Sequence, residues 1–131
     1  MTLAPALFAG SHVTVKKAAL ATTSPVTTQL GLRVLQGGGN AADAAVAIGF
    51  ALGVVQPHAA GLGGGGFLVY FDAKTKGVWA LDFREAAPTA VKKDMFKSRS
   101  ARLGPISAGV PGTVAGLAAL HERFGSQPWR V

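Results

Sequence analysis

The first part of the sequence carries two helical patterns separated by glycines. Val26, Leu30 and Val34 recur every four residues, which predicts an amphipathic helix ending near Gln36. A serine and a proline at positions 24 and 25 are typical of a helix start, with Ser24 supplying a side-chain acceptor at the N-cap. Glycines at positions 37 to 39 end the pattern, because glycine accepts the left-handed conformation found at helix ends. Upstream, positions 18 to 22 fit either a short strand or a tether.

The second helical pattern has almost no polar residue on any side. Asn40 is placed to cap it, and Asp43 three residues later approximates a capping box where the helix dipole favours an acid. Pro57 ends the pattern, since the residue before a proline avoids helical backbone angles. A helix that is apolar all round is expected to be buried all round. Its longest apolar run, Ala44 to Val55, is shorter than the ~20 residues that cross a bilayer, so no membrane span is predicted.

A glycine cluster at positions 61 to 66 leads directly into a predicted β-hairpin. The bulky run Phe67 to Phe71 lacks clean alternation, which predicts a strand buried on both faces. A polar turn from Asp72 to Gly77 and a returning strand from Val78 to Phe83 complete an antiparallel pair. A nucleotide-binding loop is disfavoured, because it needs a strand before the glycines and a helix after them. The cluster instead predicts a tight turn where a helix crosses closely over a strand.

The rest of the chain holds a basic segment and a last helix. A short helical piece is predicted around Asp94 to Lys97, within a polar segment whose basic residues are Lys92, Lys93, Lys97, Arg99 and Arg102. The last helix follows Val110-Pro111-Gly112 and ends at Gly125, and its predicted inner face consists of Val114, Leu117, Leu120, His121 and Phe124.

Composition indicates a mixed α/β core that is incomplete within this chain. The 131 residues are 49% hydrophobic and 15% charged, with a mean hydropathy of +0.34. This is a high hydrophobic content for a small domain, because a small domain has a large surface relative to its volume. Part of the apolar surface is therefore expected to lie against sequence outside this chain. The net charge of +7 comes without a nucleic-acid motif, so a solvated basic loop is favoured over nucleic-acid binding. The absence of cysteine excludes disulfides and thiolate metal sites, and the three scattered histidines do not predict a zinc site.

Arg84 is the candidate site residue, because it follows a predicted buried strand instead of lying in a polar loop. A guanidinium at a strand end presents a rigid fork that fits a carboxylate. Spacing alone leaves the role of Arg84 open between an anion site and a structural role, which is either a salt bridge to Asp82 or Glu85 or plain solvation. No pair of a nucleophile and a base is recognisable among the threonines, serines and histidines.

Four stretches of the sequence form one series, and they are SPVTTQLGLRVLQGGGNAADAAVA, VVQPHAAGLGGGGFLVYFDAKT, LDFREAAP and AGVPGTVAGLAALHERFG. In this order they resemble the γ-glutamyltransferase family, the glutathione hydrolases. The resemblance covers nearly everything from about Ala18 to the C-terminus. The sequence departs from the family in completeness and in a shorter link between Met95-Phe96 and the Gly-Val-Pro-Gly helix start.

The resemblance implies an N-terminal-nucleophile hydrolase with an αββα sandwich, made as a precursor that cleaves itself into a large and a small subunit. In this family the arginine of the Arg-Glu-x-Ala-Pro motif, here Arg84, binds the α-carboxylate of the γ-glutamyl group. An N-terminal threonine of the small subunit attacks the γ-glutamyl amide, and the acyl group passes to water or an amino acid. No threonine here matches that nucleophile, and Thr113 is expected to be a helix-start residue. This chain alone is therefore expected to be inactive.

The resemblance also sets expectations for domains and partners. Residues 1–17 are expected to be a tether, and residues 18–131 the N-terminal portion of a large subunit, an incomplete domain. The expected partners are a γ-glutamyl small molecule, the remainder of the large subunit and the small subunit, and no cofactor is implied. Family members are often periplasmic, secreted or surface-exposed. The N-terminus lacks the basic region of a signal peptide, so the compartment stays open.

Two other functions stay open. A related acylase acting on β-lactam side chains or poly-γ-glutamate would share the fold, and fold does not fix substrate. A non-catalytic truncated module, such as a basic binding domain, is the third hypothesis. Cooperative unfolding of the isolated chain would favour that module, whereas aggregation or a molten state would favour a fragment.

Overall fold

The computed structural model describes residues 14–97 and 101–129. Its elements are α1 (Pro25–Gln36), α2 (Ala41–Val55), β1 (Phe67–Asp72), β2 (Gly77–Asp82), a 3₁₀ turn (Pro105–Ser107) and α3 (Thr113–Phe124). This is the mixed helix and strand order that the sequence predicts. Residues 1–13 of the expected tether lie outside the described residues, and positions 18 to 22 form neither a helix nor a strand.

Helix α1 begins at Pro25, as predicted, but its N-cap differs from the prediction. Ser24 occupies the N-cap position, and its side chain makes no capping hydrogen bond. The hydroxyl of Thr22 instead donates to the carbonyl oxygen of Ser24 at 2.8 Å. That hydroxyl also lies 2.8 Å from the hydroxyl of Thr27 and 2.7 Å from that of Thr28. Thr27 is fully buried. Its contact with Thr22 therefore ties the segment before α1 to the buried side of the helix.

The start of α2 follows the sequence prediction, and its far end is exposed within this chain. Gly38 adopts a φ of +93°, the left-handed conformation expected between the two helices. Asn40 accepts the N–H of Asp43, and the Asp43 carboxylate accepts the N–H of Asn40 at 2.8 Å, so the capping box is complete. The described residues do not cover α2 on all sides, since Val54 is 80% exposed within this chain. The buried part of α2 ends at Ile48, which packs against α1.

Strands β1 and β2 form the predicted antiparallel hairpin, with Phe67 opposite Asp82 and Asp72 opposite Gly77. Within this chain β1 is covered on one face only, because exposure alternates along the strand. The inner face packs on the core through Leu68 and Tyr70. The outer face is exposed and consists in β1 of Phe67, Val69 and Phe71. The described residues thus place helices on one side of the sheet.

Helix α3 closes the core against α2. The two helices share a buried cluster of Ala42, Val46, Leu117 and Leu120. The predicted inner face of α3 is correct at Leu117 and Leu120 and wrong at Val114, which is 46% exposed. The buried residue of that turn is Gly116, because the side chain of Phe83 takes the space against it.

The link between β2 and α3 lies at the surface. Lys92, Lys93 and Lys97 are exposed, and Arg99 lies outside the described residues. The helical piece predicted around Asp94 to Lys97 is instead a turn, which the N–H of Lys97 closes by donating to the carbonyl oxygen of Asp94 at 3.1 Å. One hydrogen-bonded turn is too short to hold a helix. Within the described ranges, none of the helices combines the length and the apolar character needed to cross a membrane.

Candidate functional site

Two loops enclose the chain as it leaves β2, and we call this region the glycine junction (residues 64–66, 83–86 and 109–113). The hairpin ladder continues by one pair: the N–H of Phe83 donates to Gly66 at 3.0 Å, and the N–H of Gly66 donates to Phe83 at 3.4 Å. Ala86 and Val110 exchange backbone hydrogen bonds of 3.1 Å and 2.8 Å. The backbone is therefore held on both sides of Arg84.

Glycine is required where these backbones meet. A Cβ at Gly65 would lie 2.6 Å from the carbonyl oxygen of Phe83 and 2.8 Å from the Cα of Arg84. A Cβ at Gly112 would overlap the carbonyl oxygen of Phe83 and lie 2.8 Å from its carbonyl carbon. The neighbours are backbone atoms, so a larger residue would have to displace the chain. The sequence predicted a helix crossing closely over a strand, but the close approach is between loop and strand-end backbones.

The first turn of α3 is fixed to the same junction. The carbonyl oxygen of Gly64 accepts the N–H groups of Gly112 and Thr113 at 2.9 Å and 3.0 Å. A Cβ at Gly116 would overlap the ring of Phe83 and lie 2.6 Å from its Cβ. Thr113 is the first residue of the helix, as predicted. Hydrogen bonds and close packing therefore join the start of α3 to the residue that follows β2.

Arg84 leaves the glycine junction with its side chain toward solvent. The residue is exposed, and its backbone N–H donates to Oδ1 of Asp82 at 2.9 Å. Among the described residues, Arg84 forms no ion pair with an acidic side chain. The salt bridge from Arg84 to Asp82 or Glu85 is therefore not formed, and the exposed side chain agrees with either an anion site or plain solvation. Backbone hydrogen bonds hold the chain on both sides of Arg84, and no acidic side chain of the described residues is bound to its guanidinium.

A cavity of about 580 Å³ opens beside the glycine junction, between the glycine loop, α2 and α3. Its polar side chains are those of Glu85 and Thr113. Both lie near Gly64, where a Cβ would be 3.6 Å from Oε1 of Glu85 and 3.7 Å from Oγ1 of Thr113. Arg84 does not line this cavity, since successive residues of an extended chain point to opposite sides.

A second junction joins the start of α2 to the end of α3, and we call it the carboxylate junction (Asn40, Asp43 and residues 124–127). The Asp43 carboxylate accepts from the Ser126 hydroxyl at 2.6 Å, from the Ser126 N–H at 3.1 Å and from the Gln127 N–H at 3.3 Å. The side-chain amide of Asn40 donates to the carbonyl oxygen of Phe124 at 2.6 Å. Sequence analysis missed this junction, because Asp43 and Ser126 are 83 residues apart.

Asp43 is a buried acid whose charge is well satisfied. Burial alone raises the pKa of Asp43, but hydrogen bonds from Ser126, Asn40 and Gln127 outweigh it and leave the pKa below its usual value of 3.8. Nε2 of His121 lies 3.6 Å from Oδ1 of Asp43. Within the described ranges, no three acidic, histidine or cysteine side chains gather closely enough to hold a metal ion. Through its hydrogen bonds the carboxylate junction joins the start of α2 to the residues that follow α3.

Comparison with known proteins gives a consistent result. The sequence profile of a family described as Gamma-glutamyltranspeptidase matches residues 27–131. Glutathione hydrolase proenzyme of Bacillus subtilis (strain 168) is 42% identical over 120 residues, which are 86% of this chain and 20% of that protein. The chain therefore spans about a fifth of the length of this relative.

Solved structures of other proteins also resemble the fold of this chain. The crystal structure of Helicobacter pylori gamma-glutamyltranspeptidase has a TM-score of 0.81 at 43% identity, covering 89% of this chain and 35% of that one. The crystal structure of cephalosporin acylase from Bacillus halodurans has a TM-score of 0.73 at 30% identity, covering 79% of this chain and 20% of that one.

Proposed function

Because the chain belongs to the gamma-glutamyltranspeptidase family, we propose that it forms part of an enzyme that transfers the γ-glutamyl group of glutathione or a related compound to water or an amino acid. Its fold is an incomplete part of the αββα sandwich of N-terminal-nucleophile hydrolases. The single observation that carries the proposed activity is the position of Arg84, whose exposed guanidinium stands at a strand end held by two loops.

We assign to Arg84 the binding of the α-carboxylate of the donor substrate. Neither Asp82 nor Glu85 is bound to its guanidinium in the described part of the chain, so the fork can face a ligand. A planar guanidinium binds both oxygens of a carboxylate at once, which the point charge of lysine cannot do. The glycine junction supplies the rigidity that such a two-point contact needs.

We further propose that the reacting threonine lies outside this chain. Thr113 is built into the first turn of α3 beside Gly64 and has no free amine to act as its own base. Residues 18–131 are then the N-terminal portion of a large subunit, with the remainder of that subunit and the small subunit as partners. The Bacillus relative is named a proenzyme, which agrees with a precursor that is cleaved into subunits.

The test uses the assembled enzyme, by which we mean this chain together with the remaining large-subunit and small-subunit sequence. Hydrolysis of a γ-glutamyl anilide is measured for the wild type, Arg84→Ala and Arg84→Lys. Loss of charge-assisted hydrogen bonds is expected to raise KM about 10- to 100-fold in Arg84→Ala, with Arg84→Lys between. Arg33→Ala, which removes an exposed arginine on α1, is the matched control.

The outcomes separate the parts of the proposal. A wild-type KM in Arg84→Ala contradicts the role of Arg84. Hydrolysis by the isolated 131-residue chain contradicts the proposal that the nucleophile lies elsewhere.

A related acylase is the second candidate, and the likeness to the cephalosporin acylase favours keeping it. The two activities differ in the donor, because a glutaryl group lacks the α-amino and α-carboxylate groups of a γ-glutamyl group. Glutathione and a glutaryl amide are therefore offered together to the assembled enzyme. Preferential turnover of glutathione supports the γ-glutamyl transfer, and preferential turnover of the glutaryl amide supports the acylase.

A further inference from the structure

We propose that Asp82 is a positioning residue for Arg84: its carboxylate holds the backbone N–H of Arg84 and so sets the direction in which the guanidinium leaves the strand end. The inference rests on the proposed role of Arg84 in binding the substrate carboxylate. It concerns a residue that need not touch the substrate. The observation behind it is the 2.9 Å hydrogen bond from the Arg84 N–H to Oδ1 of Asp82.

The backbone geometry explains why Arg84 needs such a partner. Phe83 uses both its N–H and its carbonyl group on Gly66. In an extended chain the N–H of the following residue points away from that neighbour, so the hairpin ladder cannot receive the N–H of Arg84. Asp82, the last residue of β2, turns its side chain to accept it.

The hydrogen bond from Arg84 to Asp82 lies between two backbone positions that are themselves held by hydrogen bonds. Phe83 is held by Gly66, and Ala86 is held by Val110 through two hydrogen bonds. Between these points the chain has two residues, Arg84 and Glu85, and the Asp82 bond restrains the first of them. A restraint on the backbone of Arg84 sets the direction of its Cα–Cβ bond. This direction determines where the side chain leaves the backbone.

Asp72 makes a hydrogen bond of the same kind, in which its carboxylate accepts the N–H two residues later, but there the bond closes a turn. It ends β1 as Asp82 ends β2, and its Oδ1 accepts the N–H of Lys74 at 2.9 Å. Its other oxygen accepts the hydroxyl of Thr75 at 2.8 Å, so the bonds of Asp72 close the tight turn that reverses the chain. The chain after Asp82 does not reverse but continues to the bridge at Ala86. Asp72 is therefore a matched control for Asp82.

The experiment measures KM and kcat for a γ-glutamyl anilide in the assembled enzyme. Asp82→Ala is expected to raise KM about three- to tenfold with a smaller change in kcat, since one hydrogen bond to a charged acceptor is lost and the affected contact is a binding contact. Asp82→Asn keeps an oxygen at the same place and should retain the wild-type KM. Asp82→Glu keeps the charge but displaces the acceptor, and should raise KM. Asp72→Ala should leave KM unchanged.

A double variant tests whether Asp82 acts through Arg84. In an Arg84→Ala background, Asp82→Ala should add no further increase in KM, because the side chain that it positions is already absent. A further increase there overturns the inference. So does a wild-type KM in Asp82→Ala or Asp82→Glu, or a raised KM in Asp82→Asn.

The inference and the proposed function fail in different ways. A wild-type KM in Arg84→Ala overturns the proposed role of Arg84 and the inference with it. A raised KM in Arg84→Ala together with a wild-type KM in Asp82→Ala overturns the inference alone. If Asp82→Ala does not assemble, the opposite expectations for Asp82→Asn and Asp82→Glu decide the question.

Discussion

The glycine junction and the carboxylate junction hold the two ends of α3 by opposite means. At its start, backbones approach so closely that Gly112 has no room for a Cβ beside Phe83. At its end, the buried carboxylate of Asp43 gathers hydrogen bonds from Ser126 and Gln127. A steric fit needs no charge but tolerates no added atom, whereas a carboxylate tolerates small shifts but depends on its ionisation. The two joints are therefore expected to fail under different perturbations.

The largest effect is expected from Gly112→Ala. The new methyl group would overlap the carbonyl oxygen of Phe83, and because the obstacle is backbone, we expect a loss of more than about 3 kcal/mol of unfolding free energy. Urea unfolding of the assembled enzyme measures it. Gly63→Ala is the control, since a Cβ there meets no atom within 4 Å, and its change should stay within about 0.5 kcal/mol. Equal stability of the two variants would show that the junction is not set by steric fit.

A smaller loss is expected from Asp43→Ala. The substitution removes the acceptor of the Ser126 and Gln127 N–H groups and of the N–H of Asn40. Since a partly buried donor without an acceptor is destabilising, we expect a loss of about 1–3 kcal/mol. Asp72→Ala, which removes a half-buried acid with two hydrogen bonds, is the control and should cost less. A loss no greater than that of Asp72→Ala would mean that the end of α3 is held by apolar contacts instead.

The smallest effect is a difference in pH dependence. The pKa of Asp43 is lower in the folded chain than its usual value of 3.8, so the folded state favours the carboxylate. Its contribution to stability is therefore complete above pH 3.8 and is lost as the pH falls through the lower folded pKa. The urea midpoint should fall less between neutral and acid pH in Asp43→Asn than in the wild type.

The pH experiment uses a substitution in the glycine junction as its control and keeps the hairpin residue Asp72 unchanged. Hydrogen bonds from Lys74 and Thr75 also lower the pKa of Asp72, so Asp72 is left unchanged in every variant. Gly65→Ala disturbs backbone atoms of the glycine junction without removing a carboxylate, and should keep the wild-type pH dependence. A reduced pH dependence in Gly65→Ala would show that the two joints are coupled through α3.

Local features of the fold were predictable from the sequence because their causes lie within a few residues. The capping box of α2 needs only Asn40 and Asp43, three positions apart. The hairpin follows from two apolar runs around a polar turn, and α3 from apolar residues at helical spacing. The strand-end position of Arg84 was predictable for the same reason.

The surroundings of these elements were not predictable, because they depend on contacts between distant segments. Nothing near Asp43 in sequence announces Ser126, and nothing near Arg84 shows that Gly112 presses on the preceding carbonyl group. The apolar character of β1 and α2 predicts full burial, but it does not show which neighbours cover these elements. Val54 and Val69 are exposed within this chain.

Because both ends of α3 are fixed, the number of residues in the helix is constrained. Its 12 residues make a strut of about 18 Å, at about 1.5 Å of rise per residue. One inserted residue would lengthen the strut by about 1.5 Å and rotate one end against the other by about 100°. Gly116 and His121 could then no longer meet Phe83 and Asp43 at once. We therefore expect α3 to accept substitutions along its exposed side much more readily than any change in its number of residues.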